Sequence, residues 1–297
     1  MRAVANCLDQ WCRIQPSESN EFLASSLKQW KKKRPDDPTV QAIWHMEQAR
    51  RASRGRNLRG AITLIQEARQ LRPEEMDNRI HTSLWLLQGM LYRLQNAEDR
   101  AKSAWRKASS IAETVTMKSP LHLMDRVILG SLTQAWDLRM AGDLLTTLAG
   151  RHLIGEEQTN AKAAFNATFL TDPAWLTTFN NVLQSDEGLQ FAEDYVLCRQ
   201  PPRELVWHFY RLLLEHHFLT TAFPKATPDQ TDRVHQIVDT LVTEMAMNPR
   251  GEITHLYAYL RAWNDPAAAK TLFDTVYPYS PALIKDMHWL LRQRQPH

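Results

Sequence analysis

Large and small apolar residues return at helical spacing along most of the chain. Ala61, Ile65 and Ala68 form one such group, and Ala161 with Phe165, and Ala269, Phe273 and Val276, form others. Steps of three and four put each group on one face of a helix, where strict alternation would have indicated a strand. Polar breaks carry start signals. Asp37-Pro38, Ser119-Pro120, Asp172-Pro173, Thr227-Pro228, Asp265-Pro266 and Ser280-Pro281 each pair a capping side chain with a proline suited to the first helical position. The stretch Leu205 to Phe223 is the most apolar, yet it contains Arg211, Glu215 and three histidines, so it reads as an amphipathic or buried helix. At a mean helix length of about 11–12 residues, roughly a dozen helices fit the chain. The expected fold class is all-α.

One segment is more specific. Trp85, Gly89 and Tyr92 are followed by Ala101, Trp105 and Ala108. This segment resembles the tetratricopeptide repeat, W-x2-L-G-x2-Y then A-x3-F over 34 residues, at six anchors. Trp105 stands for the usual Phe, Gln88 for Leu, and Glu113 for the closing Pro. Small Gly89 and Ala101 mark a close crossing of two helices. Trp85, Tyr92 and Trp105 are expected to fill the space between one pair and the next. Fainter copies surround it, with Ala49, Ala52, Ala61, Ile65, Ala68 and Pro73 before, and Ala161, Phe165 and Pro173, then Leu256, Leu260, Ala269, Phe273 and Pro281, after. A weaker one surrounds Leu23, Leu27 and Pro35. The best copies span about 42–75, 82–115, 142–175 and 250–283. The resemblance implies a right-handed α-solenoid of antiparallel helix pairs with degenerate repeats. Such pairs cannot bury their apolar faces alone. It also implies a concave surface lined by the first helix of each pair, which would present Met46, Arg50 and Ser53, then Leu86, Met90 and Arg93. The Lys/Asn clamp that some members use for chaperone tails is not in those places.

Composition points the same way. The 297 residues contain only 9 Gly, under half the usual share of about 7 %. Asn-Gly and Asp-Gly, the strongest hairpin signals, are missing. No Gly/Ser run or low-complexity tract divides the chain, so residues 1–297 are expected to form one continuous run of helices. The first residues already carry helical pattern, which raises the expectation of a piece of a longer protein. The amino terminus, with Asp9 and Arg13, lacks an apolar leader core. Cys7, Cys12 and Cys198 are too few for a disulfide framework and read as buried thiols. The expected compartment is cytoplasmic, with no membrane span.

Charge is uneven. Lys28 to Arg72 holds 12 Lys or Arg against 4 Asp or Glu, while the whole chain nets +3. The excess sits in Lys31 to Arg34 and in Arg50, Arg51, Arg54, Arg56 and Arg59. Cations near helix C-termini oppose the helix dipole, which is one account of both clusters. The other is an electropositive face for an acidic peptide or protein, with Arg50 and Arg54 one turn apart on one side. Nucleic acid is disfavoured. The copies share no repeated polar pair for reading bases, and the sequence pI of about 8.7 lies below the usual footprint of about 9.

Catalytic signatures do not emerge. Eleven histidines occur, but without H-E-x-x-H or a Cys/His spacing that suits zinc. Glu215-His216-His217 is the best local cluster, and adjacent residues on a helix point about 100° apart, so one ring is expected packed and the other exposed. Phosphate-loop and nucleophile-elbow motifs are absent. Of the ten tryptophans, Trp85, Trp105, Trp175 and Trp263 fall on apolar periodicity and belong to the core. Trp207, in a run of four rings that encircles a helix, is a candidate for partner contact. The sequence therefore predicts a non-catalytic scaffold or adaptor for a protein or peptide, without cofactor or metal. Its candidate contact residues are Met46, Arg50, Arg54, Leu86, Met90, Arg93 and Trp207. The competing class is a helical enzyme, or the regulatory region of a larger catalytic system.

Overall fold

The computed structural model describes residues 21–72, 74–115, 120–133, 173–199, 202–223, 225–247 and 281–293. These form eleven helices and no strand: α1 Glu21–Lys33, α2 Pro38–Arg54, α3 Leu58–Arg69, α4 Asn78–Leu94, α5 Glu98–Ala112, α6 Pro120–Thr133, α7 Pro173–Gln184, α8 Asp186–Val196, α9 Pro202–Ala222, α10 Pro228–Met247 and α11 Pro281–Gln293. The protein is thus all-α among the described residues. The copies expected at about 142–175 and 250–283 fall almost wholly outside them, as do Cys7, Cys12, Pro73 and Trp263.

Helix starts follow the local signals. Asp37 accepts hydrogen bonds from the amides of Thr39 and Val40 at 3.0 and 3.1 Å, and Pro38 opens α2. Prolines 120, 173, 228 and 281 likewise open α6, α7, α10 and α11. At α10 the Thr227 hydroxyl accepts from the Gln230 amide while Gln230 Oε1 accepts from the Thr227 amide. This is a reciprocal capping box. Helix ends share one device. The amides of Asn57, Ala97 and Arg199 each bond the carbonyl five residues back, and the residue before each lies in the left-handed region: Arg56 (φ 61°), Asn96 (φ 58°) and Cys198 (φ 51°). These are Schellman-type stops with a side chain where glycine is usual.

The chain divides into two compact units. The first comprises residues 1–136 with 189–206, and the second 137–188 with 207–297. Residues 189–206 belong with the first unit, although residues 137–188 precede them in the chain.

In the first unit α2 packs on α3 and α4 on α5, each pair joined by a three-residue turn. α3 also packs on α4, α2 on α4, and α4 and α5 on α6. The α4–α5 crossing is the tightest. Ala101, Ala104, Ala108 and Ala112 give α5 a buried face of small residues, and Trp105 is buried beside them. Gly89 lies under the Trp105 indole, and a Cβ there would fall on the ring. Trp105 therefore fills the crossing inside its own pair, not the space between pairs. Trp85 and Tyr92, both half-buried, do reach α3.

In the second unit α7 and α9 meet where Thr178 Oγ1 lies 3.3 Å from His217 Nδ1. Arg211 pairs with Asp239 at 2.7 Å, linking α9 to α10. Arg233 of α10 pairs with Asp286 of α11 at 3.4 Å and also covers the Trp289 ring, which stacks on Phe223.

A helical Gly→Ala change is ordinarily stabilising. Gly89→Ala should instead destabilise by about 1–3 kcal/mol, as overpacking does, and so should Ala101→Leu. Combining Gly89→Ala with Trp105→Leu should recover part of the loss. Urea unfolding of the four proteins measures this coupling, and strict additivity would show that the two side chains do not meet.

Candidate functional site

The sequence places its basic excess on α2, and the structure shows what those side chains touch. Of the residues expected to line an open groove, Met46 is 0 %, Arg50 2 %, Leu86 2 % and Met90 0 % exposed. They are core residues, so an accessible surface built from them is not present. Only Arg54 and Arg93 retain partial exposure. Trp207 lies in α9, but its side chain is outside those described.

The α2 face is covered by the chain itself. Arg50 Nε donates to the carbonyl of Val196 at 3.2 Å, in a fully buried bond. Arg54 Nη1 donates to the carbonyl of Cys198 at 3.4 Å. These partners lie 146 and 144 residues away in sequence. The acceptors belong to the C-terminal end of α8, where helix carbonyls lack intrahelical donors and carry the negative end of the dipole. Val196, Leu197 and Cys198 are themselves buried. Cys198 is buried and forms no disulfide, as expected of a structural cysteine.

The same cluster also contains its own acid. Buried Glu47 accepts from Arg51 Nε at 3.2 Å and lies 3.7 Å from Arg54 Nη2. Three of the arginines read as an electropositive face are therefore engaged within the protein. Geometry explains the grouping: Glu47, Arg51 and Arg54 stand four and three residues apart on one helix. The lysines of the other cluster, Lys31, Lys32 and Lys33, occupy the last turn of α1, where cations oppose the helix dipole. Lys31 also stands over the Trp44 ring at 4.7 Å.

Among the described residues, the other buried polar groups form ties between helices. Ser83 Oγ donates to Asp125 Oδ2 at 3.2 Å, and both, with His122, are buried. Such a network ties α4 to α6 and is closed to a substrate. His217 is fully buried and His216 half-buried, close to the expected one-in, one-out arrangement. Burial lowers the His216 imidazole below its ordinary pKa, with Glu187 partly offsetting it. Burial raises the Glu215 carboxyl, against the pull of His235 and Arg211. No group of three or more potential metal ligands occurs among the described residues. No helix among them is long and apolar enough to cross a membrane.

Sequence reasoning missed a second basic feature. Arg69, at the end of α3, lays its guanidinium over the Trp85 ring of α4 at 3.2 Å from the centroid. Its Nη1 donates to Gln88 Oε1 at 2.7 Å, and Gln88 Nε2 donates to the Tyr92 hydroxyl at 3.0 Å. The one signal in the sequence was Gln88 itself, a polar residue where the repeat expects Leu.

No family model, no curated protein and no solved structure matches this chain.

Arg50→Met keeps the buried stem but removes the donor. It should cost about 1.5–3 kcal/mol, the range for hydrogen bonds to a charged group. The amides of Leu197, Cys198 and Arg199, which close the α8 end, should exchange faster with deuterium than those of α5. Unchanged protection at 197–199 would show that the contact does not hold the helix end.

Proposed function

We propose that the protein is a non-catalytic interaction module. On this reading it is a degenerate solenoid of antiparallel helix pairs, similar to tetratricopeptide proteins, that holds a protein or peptide partner in the cytoplasm. Two features support the repeat reading. Gly89 meets Trp105, and both are buried together with Ala101 and Ala108 at the offsets of the repeat, and α2–α3 and α4–α5 turn through the same three-residue stop.

The observation that carries the function is the engagement of backbone carbonyls by Arg50 and Arg54. It supports a helix face suited to polypeptide, recognised through the negative end of a helix rather than through one side chain. A partner with an exposed helix C-terminus, or an acidic segment, offers the same chemistry and competes with residues 196–198. Lys31 to Lys33 at the end of α1 then act on encounter, since peripheral charge sets association rate more than residence.

Pull-down with mass spectrometry from the source organism supplies the partner, and surface plasmon resonance on the purified pair tests the reading. A synthetic peptide spanning Asp186 to Arg199 should reduce partner binding at saturation. Replacing Lys31, Lys32 and Lys33 by Gln should slow capture with little effect on release. Binding indifferent to the peptide would remove α2 as the contact face. Absence of any captured protein, together with turnover of a small molecule, would overturn the module reading.

A further inference from the structure

We propose that Arg69, stacked on Trp85 and flanked by His81 and Lys107, is a receptor for a carboxylate carried by an acidic protein segment. This inference rests on the interaction reading above, but it uses a different place. Arg69 comes from α3, His81 and Trp85 from α4, and Lys107 from α5.

The geometry fixes the guanidinium and gives it no anion among the described residues. Trp85 sets the plane of the fork. Gln88, held in turn by Tyr92, engages Nη1 and sets the fork's rotation. Gln66 braces the same phenol at 3.4 Å. Nε of Arg69 is buried with no hydrogen-bond partner. No described carboxylate forms an ion pair with Arg69, in contrast to Arg51, Arg54 and Arg79. A partly desolvated cation is most costly when unpaired.

The charges acting on the His81 imidazole are those of Arg69 and Lys107, and with burial they hold it below its ordinary pKa. Burial likewise lowers Arg69, with the Tyr92 phenol the one offsetting group. His81 lies one turn before Trp85 on the same face of α4, and Lys107 is exposed on α5. A preorganised fork, a neutral imidazole and a flanking ammonium suit a planar monoanion. Guanidinium binds a carboxylate in plane through two parallel N–H bonds. Because the fork is already held, little side-chain entropy is lost on binding.

The test uses the full chain and end-blocked hexaglutamate, with hexalysine and inorganic phosphate as comparisons. The readout is the Trp85 indole N–H resonance, assigned with Trp85→Phe. Hexaglutamate should shift it saturably, and hexalysine should not. Arg69→Gln should weaken binding by about tenfold or more, as loss of a charge-assisted hydrogen bond does. Arg69→Lys should be nearly as weak, because the charge remains but the planar fork is gone. Lys107→Gln, an exposed change that leaves folding intact, should weaken binding by about two- to fivefold, as for a screened surface pair. Arg59→Gln, exposed on α3, is the control for diffuse charge. Equal weakening by Arg59→Gln and Arg69→Gln, or an unmoved Trp85 signal, would overturn the proposal. So would saturation by phosphate with no response to hexaglutamate. None of these outcomes touches the α2 reading, which the Asp186 to Arg199 peptide tests separately.

Discussion

The separation of α4 and α5 is set by an indole lying where a side chain of residue 89 would be. Trp105 fits against Gly89 only because that residue has no Cβ. The alanines at 101, 104, 108 and 112 then let the rest of α5 approach as closely. Close packing of this kind has little compliance. It fixes how α4 turns its other residues, with Leu84, Leu87 and Leu91 into the core and Trp85, Gln88 and Tyr92 toward α3. The Arg69 cradle is a consequence of that rotation.

Charge in the first unit is governed by burial more than by count. The net +8 between Lys28 and Arg72 suggests an open cationic surface, yet Arg50 is as buried as the leucines around it. A buried guanidinium needs acceptors: Arg50 donates to the Val196 carbonyl at the end of α8, while its neighbours Arg51 and Arg54 donate to Glu47 and to the Cys198 carbonyl. The α8 end needs donors for the same reason. Each side satisfies a requirement of the other, which is why two segments so far apart in sequence meet there. Arg69 is the departure. It has an aromatic platform and an amide, but no acid among the described residues.

The polar groups buried elsewhere act as ties between helices. Ser83 with Asp125 joins α4 to α6, and Thr178 with His217 joins α7 to α9. Buried hydroxyl, carboxylate and imidazole groups are residue types used by hydrolases, but catalysis needs access as well as chemistry. Fully buried, these groups specify which helices pair, since a misplaced partner would leave them unsatisfied.

The sequence alone determined the helical class, five of the eleven described helix starts, and the closeness of one crossing. Those features depend on interactions within about four residues, as with Asp37 on the Thr39 and Val40 amides, or on a residue type with a single steric meaning, as with Gly89. It also identified Gln88 as a departure from the repeat, without supplying the reason. Only tertiary structure decided which face of α2 is covered, that Arg50 and Arg54 engage residues 196 and 198, and that Arg69 lies on Trp85. Helical periodicity marks a face as apolar or charged but does not say what will pack on it. That depends on contacts between residues far apart in the chain, and on which polar groups the fold removes from water.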